Sequence, residues 1–122
     1  MAGYQDLQVY VKSYAAALAV YEMAKGYPKE ERYAMTDQIR RAALSIALNI
    51  AEGYGKRSSQ SEFRRFLLMA IGSSDEVNVL LDFAKDLGYI CESEYSEKKE
   101  KYEEVGKMLN SLIHRVGSKS SI

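Results

Sequence analysis

A single cysteine, Cys91, rules out an internal disulfide, a usage that suits a reducing compartment. A single histidine, His114, leaves no His/Cys cluster with the spacing of a zinc site. Net charge is zero, so bulk electrostatics select no polyanionic partner. No run approaches the roughly 20 apolar residues of a membrane span. The opening MAGYQDLQVYVK has acidic and polar side chains where a signal peptide would be apolar. The expectation is a soluble, cytoplasmic, single-domain protein over residues 1–122, with no membrane segment, metal or cofactor. Proline is nearly absent too. Pro28, the only one, lies in GYPKEE after a helical segment and marks a connection.

What remains is helical periodicity. Helix one is expected over Gln5–Lys25, with Leu7, Val11, Tyr14, Leu18 and Tyr21 as its core stripe. Helix two is expected over Asp37–Glu52, with Thr36 as N-cap and Ile39, Ala43, Ile46 and Ile50 as its stripe. Gly53 and Gly55 then offer left-handed conformations to end it. Helix three opens on a capping box, Ser59 to Glu62. Its stripe is Phe63, Phe66, Ala70, Ser73, Val77, Leu80, Ala84 and Leu87, and Gly88 stops it. Helix four is expected from near Ser93 to near Gly117, with Tyr95, Tyr102, Val105, Leu109, Leu112 and Val116 inward and a frayed tail, SKSSI. Four such helices on short links predict an all-α, antiparallel up-down four-helix bundle.

Helices two and three are apolar on a second side. Leu44, Leu48 and Ala51 lie roughly opposite the first stripe of helix two, and Leu68, Ile71, Val79 and Phe83 opposite that of helix three. A helix apolar on two faces is buried on two faces. Either another copy of the chain covers this seam, making a homo-oligomer, or a short link or helix one does.

Charge is segregated despite the zero total. From Thr36 to Gly72 six basic residues (Arg40, Arg41, Lys56, Arg57, Arg64, Arg65) face three acidic ones. From Asp75 to Glu104 ten acidic residues face four basic. The basic helix two–three hairpin is a candidate surface for RNA or DNA phosphates at a capped helix start. The alternative is a protein–protein module in which these residues pair with acidic helix four, within or between subunits. Of the ten tyrosines, Tyr14, Tyr21, Tyr95 and Tyr102 fall on core stripes. Tyr54, beside Lys56 and Arg57, is the candidate for base stacking.

No catalytic constellation emerges. Cys91 and His114 are separated by about 30 Å of helix, too far for a nucleophile–base pair. Glu52 is expected to pair with Arg40 or Arg41. Asn49, Glu52 and Gly53 are read as fixing the helix two–three turn, with ligand contact as the alternative.

Several motifs together resemble one bacterial four-helix-bundle family, known from the 23S rRNA intervening-sequence protein. They are Gln38-Ile-Arg-Arg41, Ser45-Ile46 with Asn49-Ile-Ala-Glu-Gly53, Glu62-Phe with Arg65-Phe66-Leu, Gly72-Ser73 with Glu76, and Leu87-Gly-Tyr-Ile90. Asp6-Leu7 with Val9-Tyr10 and Val105-Gly-Lys-Met-Leu-Asn110 extend the likeness over nearly the whole chain. Ala47 departs from it, standing where the family often has proline. The accessory variability protein of diversity-generating retroelements looks like a member of the same family. The resemblance implies a homo-oligomeric ring, a pentamer, and a nucleic-acid-binding or reverse-transcriptase-accessory role.

Overall fold

The computed structural model describes residues 3–120, with side-chain detail as far as 116. Four α-helices dominate: α1 (Gln8–Ala24), α2 (Met35–Gly55), α3 (Gln60–Asp86) and α4 (Glu92–Ser120). Single 3-10 turns at Tyr4–Asp6 and Lys29–Glu31 precede α1 and α2. Among the described residues there is no strand. Each helix packs on two others, in the cycle α1, α2, α3, α4 and back to α1. Side-chain contacts between α2 and α3 run in reverse order along the two helices. Gly53 lies against Phe66, Ser45 bonds Ser73, and Gln38 bonds Glu76.

The core follows the expected stripes on α2, α3 and α4 in part: Leu67, Leu81 and Ile113 are buried although the stripes left them out, and Tyr95 and Leu112 are only half-buried. Ile39, Ile46, Ile50, Leu67, Leu81, Tyr102 and Leu109 are the large residues that lose all contact with solvent. Leu87 was expected inward but is exposed, and Ser74 rather than the half-buried Ser73 points fully in. Tyr102 is buried with no partner for its hydroxyl among the described residues, and burial holds that hydroxyl well above the usual tyrosine range.

Helix α1 departs most from expectation. Its buried residues are Val9, Ser13, Ala16, Ala17, Val20, Met23 and Ala24. The stripe expected inside, Val11, Tyr14, Leu18 and Tyr21, is 40% to 59% exposed, and Leu7 is half-buried. Both stripes have helical spacing, so periodicity alone could not choose between them. The face that goes inside carries the smaller residues, Ser13, Ala16, Ala17 and Ala24 among them.

Helix ends also differ in instructive ways. Thr36 does not cap α2; it is buried in the first turn, and the Met35 amide donates to the Glu31 carboxylate at 3.4 Å. Gly53 and Gly55 are helical rather than left-handed. Glycine costs a helix only about 1 kcal/mol, too little to end it unaided. Gly53 answers a packing need: a Cβ there would lie 2.8 Å from the Phe66 Cβ. The Ser59 hydroxyl does accept from the Glu62 amide at 3.3 Å. The reciprocal half of the box is absent, because Glu62 turns to Arg65. Gly88, at φ 78°, closes α3 as expected. Tyr89 N–H reaches the Ala84 carbonyl at 2.8 Å and Gly88 N–H the Lys85 carbonyl at 3.0 Å, the paired bonds of a Schellman ending. Helix α4 runs through Gly117 to Ser120, beyond the expected stop, and the last two residues of SKSSI lie outside the described residues.

Candidate nucleic-acid interface

Residues 56–59 join α2 to α3. Lys56 and Arg57 leave the end of α2 and are exposed. Arg57 folds back, its Nη1 donating to the Tyr54 carbonyl at 2.8 Å and its guanidinium centred 4.0 Å from the Tyr54 ring. The Lys56 ammonium lies 6.0 Å from the Phe66 ring, which Arg65 also approaches at 4.6 Å. Such contacts are worth about 0.5–1 kcal/mol at exposed sites. They set cationic groups against aromatic rings at one end of the bundle. Tyr54 is half-buried, and its other aromatic neighbour is Phe63, edge-on at 6.2 Å. Arg57 covers one face of Tyr54, so a base stacking on that face must displace it.

Of the other basic residues only Arg65 shares this end, and a carboxylate takes it up. Arg65 grips Glu62 through two hydrogen bonds, 3.1 and 3.0 Å, which hold the Glu62 carboxyl below its usual range. Arg41 pairs with Asp37 at 3.0 Å, one turn away on the same helix. Arg40 Nη2 donates to the Tyr21 carbonyl at 2.8 Å, and Arg64 Nη1 donates to the Ile113 carbonyl at 3.1 Å. Arg40 and Lys56 are 16 positions apart on α2 and its C-cap, about 24 Å. The expected six-residue cluster therefore separates. Lys56, Arg57 and Arg65 gather at the turn, Arg64 ties α3 to α4, Arg40 ties α2 to α1, and Arg41 pairs within α2. Neither Arg40 nor Arg41 pairs with Glu52, which is exposed.

Asn49, Glu52 and Gly53 lie inside α2 rather than in the turn. Asn49 Nδ2 donates to the Ser45 carbonyl at 2.9 Å and to Ser45 Oγ at 3.0 Å, and Ser45 Oγ meets Ser73 Oγ at 2.9 Å. This half-buried chain pins α2 to α3 midway along their contact. A polar residue beside alanines signalled a hydrogen bond, but the sequence did not reveal its partner.

The second apolar side faces outward. Leu44, Leu48, Leu68, Val79 and Phe83 are 44% to 56% exposed, so no link and no part of α1 covers them. Ile71 is half-buried and packs against the core instead. The α1 stripe of Val11, Tyr14, Leu18 and Tyr21 adds to this outward apolar surface. It was missed because its residues are larger than those on the face that goes inside.

The acidic flank of α3 and α4 has its own network. Tyr95 donates to Asp82 Oδ1 at 2.6 Å and Lys99 Nζ to the same oxygen at 3.1 Å. Asp82 is thereby held below the usual carboxylate range, and the Tyr95 hydroxyl is pushed up to about 12. Cys91 and His114 are both exposed. Among the described residues no three His, Cys, Asp or Glu side chains gather to hold a metal, and no helix is long and apolar enough to cross a membrane.

The family model described as 23S rRNA-intervening sequence protein matches residues 5–111. The chain belongs to that family. A solved structure is similar throughout: a protein of unknown function from the S23 ribosomal protein family of Bacteroides thetaiotaomicron VPI-5482. It is 27% identical, with a TM-score of 0.79, over 87% of this chain and 95% of that one. No curated protein matches. The match covers α1 to α3 and most of α4, the nearly whole-chain extent over which the motifs from Asp6 to Asn110 carried the resemblance.

Proposed function

We propose that the chain is a non-enzymatic, self-associating bundle whose α2–α3 end contacts nucleic acid. The observation that carries this is the pair Lys56 and Arg57, exposed at one end of the bundle, without a carboxylate partner among the described residues, and set against the rings of Phe66 and Tyr54. Two cations and aromatic edges suit a phosphate backbone and make no sequence-reading constellation. Binding by one subunit is weak and follows shape. Several copies in one assembly multiply it through effective concentration. The relatives' names refer to ribosomal RNA and to a ribosomal protein family, which makes RNA the first nucleic acid to test. The reverse-ordered helix contacts support an antiparallel up-down arrangement. Family membership motivates the rest of the reading: a pentameric ring in the cytoplasm, accessory to a reverse transcriptase.

Fluorescence anisotropy with single-stranded RNA tests the contact. Affinity falls with salt at a log–log slope of about −0.7 per phosphate neutralised. Replacing Lys56 and Arg57 with glutamine together lowers that slope by about 1.4 and weakens binding at every RNA sequence. Binding that ignores both salt and the double substitution refutes the reading. A second reading, a protein–protein module without nucleic acid, is favoured by the engagement of Arg40, Arg41, Arg64 and Arg65 inside the chain. If the double substitution breaks assembly instead of RNA binding, that reading replaces the first.

A further inference from the structure

Where α1 gives way to the link before α2 there is a cleft of about 450 Å³, lined by four cations and no carboxylate. Lys25 comes from the end of α1, Lys29 and Arg32 from the link, and Arg40 from the second turn of α2. Thr36, in the first turn of α2, lines the cleft as well. The positive end of the α2 dipole therefore adds to the charge of the side chains.

Arg40 is held in place here. Its Nη2 donates to the Tyr21 carbonyl at 2.8 Å, and its guanidinium lies 5.0 Å from the centre of the Tyr21 ring. Its Nε is buried and has no acceptor among the described residues. A buried donor with no acceptor is rare in native structures, and a ligand oxygen is one group that satisfies it. The carboxylates nearby are largely engaged elsewhere. Glu22 bonds Lys25 at 2.8 Å and acts on Arg40 only from a distance. Glu31 accepts from the Tyr89 hydroxyl at 2.6 Å, and Glu30 lies near the same hydroxyl. Asp37 pairs with Arg41 at 3.0 Å. Lys29 and Arg32 are exposed and have no ion pair among the described residues. Arg32 lies 5.5 Å from the Tyr33 ring, a contact that uses none of its hydrogen-bond donors.

We propose that this cleft binds the phosphate end of a small anionic molecule. Four cations with one carboxylate, Glu22, at their margin carry more charge than a monocarboxylate or a chloride offsets. A terminal phosphate brings nearly two negative charges at neutral pH and three acceptor oxygens. The Arg40 guanidinium, fixed on one side by Tyr21, presents its Nε edge to such oxygens, a geometry suited to charge-assisted bonds. Lys29 and Arg32 then close on the bound group from the exposed rim. The cleft is separate from the α2–α3 end, since Arg40 and Lys56 stand 16 positions apart on α2 and its C-cap, about 24 Å. It is independent of the nucleic-acid reading, and either fails without the other.

Nitrogen-15 NMR of the full chain, titrated with inorganic phosphate and with glycerol phosphate at constant ionic strength, tests the site. The Arg40 Nε–H signal is identified by its absence from Arg40→Lys. Both probes are expected to move that signal and the Thr36 amide together, along one saturable curve, while chloride moves neither. Tighter binding of glycerol phosphate than of inorganic phosphate assigns the site to a phosphorylated metabolite, and the opposite order assigns it to phosphate itself. Lys29→Gln with Arg32→Gln alters two exposed side chains, so it keeps the wild-type helical circular dichroism; it weakens binding by about tenfold or more. Lys101→Gln with Lys107→Gln removes the same charge from exposed positions on α4 and leaves binding as it was. An Arg40 signal that stays in place with both probes, shifts that never saturate, or equal weakening by the two double variants would overturn the proposal.

Discussion

Gly53→Ala places a methyl group where the structure leaves no room for one. The new Cβ would lie 2.8 Å from the Phe66 Cβ and 3.3 Å from the Phe63 Cδ1. The first of these cannot swing aside, because a Cβ moves only with its backbone. Both rings are themselves buried. Helices α2 and α3 must therefore separate by several tenths of an ångström. Overpacking of this kind costs about 1–3 kcal/mol, against a gain of up to about 1 kcal/mol from replacing a helical glycine. With the full gain subtracted, the net is a loss of up to about 2 kcal/mol, or up to roughly 8 °C in Tm for a domain of this size. Gly55→Ala is the control. It lies two residues away in the same helix, and nothing stands within 4 Å of its added methyl. That variant keeps the propensity gain and is as stable as the wild type or more so. Urea unfolding of the three proteins measures the difference at fixed protein concentration, since assembly adds to apparent stability. If Gly53→Ala is as stable as Gly55→Ala, the close approach of α2 to α3 is not what requires this glycine.

Two further outcomes follow from buried polar groups. Removing the Ser45 hydroxyl with alanine leaves Asn49 and Ser73 each short of a bond, and unfolding in urea then shows a loss of about 1–2 kcal/mol; an unchanged midpoint would mean that water replaces the hydroxyl at no cost. Tyr27 is buried, and desolvation pushes its hydroxyl up to about 12, from an ordinary value of 10. Its neutral form is favoured in the folded chain, so its contribution is fully present below pH 10 and is lost as pH rises from 10 through 12. Tyrosinate absorbance and circular dichroism followed together through that range will show a delayed titration coupled to unfolding. Titration of all ten tyrosines near pH 10 without structural change would contradict this.

The bundle was legible because α2, α3 and α4 each carry a stripe of large residues at helical spacing, although α2 and α3 carry a second, outward one. Ile39, Ile46 and Ile50 leave no doubt about the inside of α2. Helix α1 defeated the same reasoning. It has two stripes of equal period, one of alanines and valines and one of leucine and tyrosines, and size argued for the wrong one. The choice depends on what stands opposite, which a single helix cannot reveal. Glycine misled for a related reason. Gly53 and Gly88 look alike in sequence, yet one admits a neighbouring helix and the other turns the backbone. Charge was legible as a sum and not as a map: 16 positions of helix put Arg40 and Lys56 at different places on the molecule. The outward face of Leu44, Leu48, Leu68, Val79 and Phe83 was read from helical phase alone, and α1 extended it.

The mass of the wild-type chain in solution tests the account most directly. Light scattering on the purified protein across micromolar concentrations is expected to give a whole multiple of 13.8 kDa, held as the sample is diluted. A steady 13.8 kDa at every concentration would show that Tyr14, Leu18, Leu48 and Val79 tolerate water in a single copy, and the assembly built on them would fall.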